Sequence, residues 1–65
     1  MRFRIQNMTC GGCARGVTKA IQSVDPTANV TADPPSRIVE VTSNQPQAEI
    51  EHALAAAGFP AVNAA

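Results

Sequence analysis

The sequence predicts an α+β sandwich, a four-stranded antiparallel sheet with two helices on one face, and three observations carry that prediction. Short runs alternate apolar and polar residues with period two. Two longer stretches repeat their apolar residues every three or four positions, and Pro and Gly punctuate the joins between segments. In chain order the segments run strand, helix, strand, strand, helix, strand.

Arg2-Phe3-Arg4-Ile5-Gln6 puts Phe3 and Ile5 on one face, as a half-buried strand does. From Gly12 to about Val24, the residues Cys13, Val17, Ala20, Ile21 and Val24 draw one apolar stripe along a helix, which Asp25-Pro26 stops. Ala28 to Ala32 and Arg37 to Thr42 read as two strands of a hairpin, joined by Asp33-Pro34-Pro35-Ser36, where the prolines cannot donate ladder hydrogen bonds. Pro46 suits the first turn of a second helix that aligns Ile50, Ala53, Leu54 and Ala57 until Gly58 ends it. Phe59 to Asn63 adds an edge strand whose pairing Pro60 restricts. This order is a split strand-helix-strand unit occurring twice, the ferredoxin-like βαββαβ sandwich.

At 65 residues the chain is expected to form a single domain, 1–65, with a thin core of Phe3, Ile5, Val17, Ile21, Val30, Val39, Val41, Ile50 and Leu54. Five Lys or Arg against five Asp or Glu leave no net charge, which speaks against nucleic acid or anionic lipid as a partner. Met1 to Asn7 has no continuous hydrophobic run of the kind a signal peptide or a membrane span needs, so the expected compartment is the cytoplasm. The start at Met1 favours an independent gene over an excised fragment.

The chemistry concentrates in Asn7-Met8-Thr9-Cys10-Gly11-Gly12-Cys13-Ala14-Arg15-Gly16, which holds both cysteines. A helix start supplies unpaired amides and the positive end of a dipole, both of which favour thiolate over thiol. Gly11 and Gly12 leave the loop free to bring the sulfurs together or to part them. Four readings compete: a small hydrophobe capping the apolar stripe, a thioredoxin-type redox pair, a structural zinc site and reversible soft-metal binding. The redox fold needs a longer chain. Zinc needs two further ligands, and His52 lies about 200° around the second helix from Ile50, toward solvent. Two thiolates without a third donor suit a soft ion of low coordination number, Cu(I) better than Zn(II).

Met8-Thr9-Cys10-Gly11-Gly12-Cys13, the element order and the closing Ala57-Gly58-Phe59 together resemble the heavy-metal-associated domain family over essentially the whole chain. The family includes copper chaperones of the CopZ type, metal-binding domains of copper-transporting P-type ATPases, and mercury-binding relatives. The resemblance implies that Cys10 and Cys13 are metal ligands for Cu(I), or for other soft ions such as Hg(II) and Ag(I). It implies no enzymatic activity, and a partner that is an ATPase metal-binding domain or a similar C-x-x-C protein. The chain itself would be a monomer able to form a metal-bridged dimer.

Thr9, where zinc and cadmium members tend to carry an acid, favours Cu(I). Asn7 replaces a common glycine, and Gly11-Gly12 replaces a pair that often includes histidine. Met8 resembles a buried methionine that anchors the loop from below. Phe59 resembles the ATPase domains, and either caps the site or closes the core. Arg15 and Lys19, one turn apart, either steer an acidic partner or form an ordinary solvated face. Cys10 is expected to be exposed and to act as the entry and exit ligand. Cys13, above Val17, is expected to be more buried, so that burial raises its pKa against the lowering effect of the helix start, which Cys10 feels with less opposition.

Overall fold

In the computed structural model, which describes residues 1–64, the elements are β1 (Arg2–Arg4), α1 (Gly11–Val24), β2 (Asn29–Asp33), β3 (Ile38–Thr42), α2 (Gln47–Ala56) and β4 (Val62–Asn63). The strands form one antiparallel sheet in the order β2-β3-β1-β4. This is the ferredoxin-like arrangement the sequence predicts. Phe3 faces Val39, Val39 faces Ala32 and Val41 faces Val30, so one sheet face carries the apolar row. Val17 and Ile21 of α1 and Ile50 and Leu54 of α2 close over that row. The opposite face stays open, with Arg2 paired to Glu40 at 3.7 Å.

The element ends differ from the sequence reading for local reasons. β1 stops at Arg4 rather than Gln6, because the chain turns there: Ile5 N–H donates to Arg37 O at 2.9 Å and Met8 N–H to Ile5 O at 3.1 Å. β2 begins one residue late, since Ala28 N–H is held by Asp25 O. Arg37 falls outside β3 because it takes a left-handed φ of 60° to close the hairpin. Pro46 caps α2 instead of entering it, and Ala57 is the cap at the other end.

That second cap is a Schellman motif. Gly58 adopts φ +88°, its N–H reaches Ala55 O at 3.1 Å, and Phe59 N–H reaches Leu54 O at 2.8 Å. β4 shrinks to Val62–Asn63, following Pro60, which has no N–H to donate.

The core contains Phe3, Ile5, Val17, Ile21, Val39, Val41, Ile50 and Leu54 as expected, together with Met8 and Ala28. Val30 is only half-buried, because β2 is an edge strand with a neighbour on one side alone.

Asp25 is the one charged residue buried among those described, 7% exposed, and it does more than stop α1. Its backbone N–H closes the helix on Ile21 O at 3.0 Å. One carboxylate oxygen accepts from Thr27 N–H at 3.0 Å and Thr27 hydroxyl at 2.7 Å, and the other from Ser43 hydroxyl at 2.6 Å. The far end of α1 is thereby tied both to the approach to β2 and to the exit from β3. The Ser43 and Thr27 hydroxyls outweigh the opposing effect of burial and lower its pKa to about 2.

A carboxyl depressed in the folded state contributes stability that is complete above its unfolded value of 3.8 and is lost as pH falls through about 2. Thermal unfolding of wild type and Asp25→Asn, followed from about pH 5 to about pH 2, should therefore show wild type melting higher at the upper end. The gap should close toward the lower end. A gap independent of pH would mean that the carboxylate's charge contributes nothing.

Candidate metal centre

Both thiols sit where the loop from β1 enters α1. Three contacts hold that loop: the Met8 amide on Ile5 O, the fully buried Met8 side chain, and Asn7 Nδ2, which donates to Gly58 O at 3.1 Å. The last joins the cysteine loop to the corner between α2 and β4. Met8 is thus a packing residue, and Asn7 carries a tie that glycine at that position would lack.

Cys10 is the N-cap of α1, with extended backbone (φ −153°, ψ 173°), and its carbonyl accepts the first helical bond from Ala14 N–H at 3.0 Å. Its side chain makes no capping bond and no acid occupies the first turn. The amides of that turn are therefore left for an anion at the helix start.

Cys10 Sγ and Cys13 Sγ lie 3.3 Å apart, both as free thiols. Cys10 is exposed and Cys13 half-buried, as their places on the helix predict. Burial acts on Cys13 in the expected direction but is outweighed. Its pKa is lowered, first by the Thr9 backbone amide and next by the Cys10 thiol, and burial is the lesser, opposing influence. The loop folds its own backbone toward the inner sulfur, and helical periodicity carries no signal for that.

Neither intervening glycine is demanded by packing. A Cβ on Gly11 would meet nothing within 4 Å, and one on Gly12 only Arg15 Nη2 and Cys10 Sγ, each at 3.9 Å. What the glycines contribute is backbone freedom between the sulfurs. His52 is exposed on α2, and among the described residues no three His, Cys, Asp or Glu side chains converge as a metal-binding group.

Phe59 is half-buried and packs against the core, with its ring edge on α1: a Cβ on Gly16 would stand 3.1 Å from Cε2 and 3.2 Å from Cζ. Gly16 costs α1 about 1 kcal/mol relative to alanine, and the ring explains its presence one turn beyond Cys13. Arg15 and Lys19 are exposed on α1. They border a shallow, open depression of about 530 Å³ that also touches Ala14 and Thr18.

A thiol pair presented at an open helix N-terminus on a ferredoxin-like sandwich defines a class of small soft-metal-binding domains. The model of the heavy-metal-associated domain matches residues 2–60, and the chain belongs to that family.

Among solved structures, a gold-binding protein superposes with a TM-score of 0.91 at 46% identity, covering 94% of each chain. The copper chaperone Atx1 from Synechocystis PCC6803 gives 0.91 at 32% identity, over 95% of this chain and 98% of that one. Oxidised MerP from Ralstonia metallidurans CH34 gives 0.84 at 28% identity, over 94% and 89%. A search of curated proteins gives no significant match.

Two measurements test this geometry. In Cys10→Ser, the Cys13 thiol should still titrate below an ordinary thiol, because the Thr9 amide remains. Ultraviolet thiolate absorbance against pH reads this directly, and a return to the ordinary value would assign the whole effect to Cys10. In urea unfolding, Gly16→Ala should stabilise a Phe59→Ala background by about 1 kcal/mol, and should stabilise the Phe59 background less. Equal gains would show that ring and helix do not compete for the same space.

Proposed function

We propose that Cys10 and Cys13 together bind one Cu(I) ion and that the domain is a cytosolic metallochaperone rather than an enzyme. It would pass the ion to a partner bearing its own C-x-x-C pair, such as the metal-binding domain of a copper-transporting P-type ATPase. The observation that carries this reading is the sulfur pair 3.3 Å apart at an uncapped helix start, with no third His, Cys, Asp or Glu converging on it among the described residues. Such a donor set suits a soft ion of low coordination number and underserves zinc. The similarity to a copper chaperone and to a gold-binding protein supports a soft monovalent cargo.

Loading releases two protons, one from each thiol. If each sulfur stands about 2.3 Å from the ion, the typical length of a zinc-thiolate bond, linear coordination requires the pair to part well beyond 3.3 Å. The Gly11-Gly12 link allows that movement. The Thr9 amide already favours the thiolate of Cys13.

Handover proceeds by exchange. A partner thiolate adds to the ion, one of the two chaperone sulfurs then leaves and takes up a proton, and the second pair exchanges in the same way. The exposed Cys10 is the sulfur placed for entry and exit. Arg15, and Lys19 one turn further along α1, give the docking face a positive sign suited to an acidic partner. The protein works as a monomer and forms a metal-bridged dimer when two sulfur pairs share one ion.

A second reading, a mercury-handling module for Hg(II), is favoured by the similarity to MerP. Ag(I) would bind as Cu(I) does.

The test is loading of the reduced protein with Cu(I). One ion per chain should bind, and X-ray absorption should show sulfur neighbours alone. The double variant Cys10→Ser, Cys13→Ser should lose binding and keep its fold by circular dichroism. A nitrogen neighbour, or unfolding of the double variant, would overturn the assignment.

A further inference from the structure

Arg15 has no carboxylate partner: among the described residues the one ion pair within 4 Å is Arg2 with Glu40, and the first turn of α1 carries no acid. Three residues after Gly12, the Arg15 side chain runs back toward the helix start, as helical side chains do. Nη2 comes to rest 3.9 Å from the point a Gly12 Cβ would occupy. Cys10 Sγ lies 3.9 Å from that same point, so guanidinium and sulfur stand within about twice that distance of each other.

From this arrangement, and resting on the proposed binding of metal by Cys10 and Cys13, we infer that Arg15 makes the site selective for monovalent over divalent soft ions. The reason is net charge. Two thiols lose two protons on loading in either case, but a monovalent ion leaves the centre at minus one and Hg(II) leaves it neutral. A guanidinium near the Cys10 sulfur attracts the first complex and is indifferent to the second. Arginine suits this role because it stays charged at every working pH. Lys19 lies a further helical turn away, about 6 Å along the axis, and acts more weakly.

The guanidinium is solvent-exposed, so the expected effect is modest, about two- to fivefold in relative affinity at low salt, and it shrinks as salt rises.

The test mixes equal amounts of wild type and Arg15→Gln, which differ in mass, with half an equivalent of Cu(I) in a buffer containing excess small thiol to allow exchange. Native mass spectrometry reads how the ion divides between the two chains, and the mixture is repeated with Hg(II). Cu(I) should favour wild type about two- to fivefold in dilute ammonium acetate and approach even division in concentrated salt. Hg(II) should divide evenly. Arg15→Lys, mixed with wild type in its turn, should divide Cu(I) almost evenly, and Lys19→Asn should lose to wild type by less than Arg15→Gln does.

Even division of Cu(I), or the same bias with both ions, overturns the selectivity while leaving metal binding intact. If wild type takes up no Cu(I), the proposed function fails, and this inference fails with it.

Discussion

The placement of both thiols depends on the burial of Met8. It is fully buried although its neighbours Asn7 and Thr9 are exposed, so a single side chain draws the loop between β1 and α1 down onto the core. Burying a side chain of this size stabilises by about 1.5–3 kcal/mol, and no hydrogen bond of the loop matches that. With Met8 in place, Cys10 is left at the N-cap and Cys13 one turn in, and their sulfurs lie 3.3 Å apart. The Asn7 bond to Gly58 then sets the direction from which the loop descends. Sulfur spacing is in this sense a consequence of packing in the core, while the sulfurs themselves add little to that packing.

Most of the fold was legible because its signals are local and periodic. Phe3 and Ile5 announce β1 by alternation, and the stripe from Cys13 to Ile21 announces α1. Both patterns report a face that must be buried, which tertiary structure seldom overrides. Val30 departs from its pattern for a reason that pattern cannot supply: its alternation is good, but β2 lies at the sheet edge. Ala28 is too small to register as a core residue. The element ends went astray where one residue's backbone decided them, at Arg37 with its left-handed φ and at Pro60 with its missing donor.

The site was legible to a different depth. The two cysteines were evident from their spacing, and their unequal exposure followed from helix geometry. The lowered Cys13 pKa also follows from its place at the helix start, but its largest cause does not, because the orientation of the Thr9 amide depends on how the loop folds. Arg15 was visible only as half of a charged pair on a helix. Its three-residue spacing from Gly12 was the available clue, since helical side chains lean back toward the N-terminus. The network around Asp25 joins groups up to 18 residues apart in sequence, and no local pattern encodes it.

The two ends of α1 show how one helix serves stability and binding at once. At its C-terminal end Asp25 closes the last turn with its amide and anchors two neighbouring segments with its carboxylate. At its N-terminal end nothing caps the first turn, no acid offsets the dipole, and the two glycines there pack against almost nothing. A capping Ser or Asp in place of Cys10 would satisfy the first-turn amides and stabilise the helix by about 1 kcal/mol. Such a cap would also remove the field that favours an anionic centre. The uncapped terminus is therefore stability withheld from the fold at the point where the chemistry needs an electropositive, movable loop. The tight network at the opposite end allows that without loosening the sandwich.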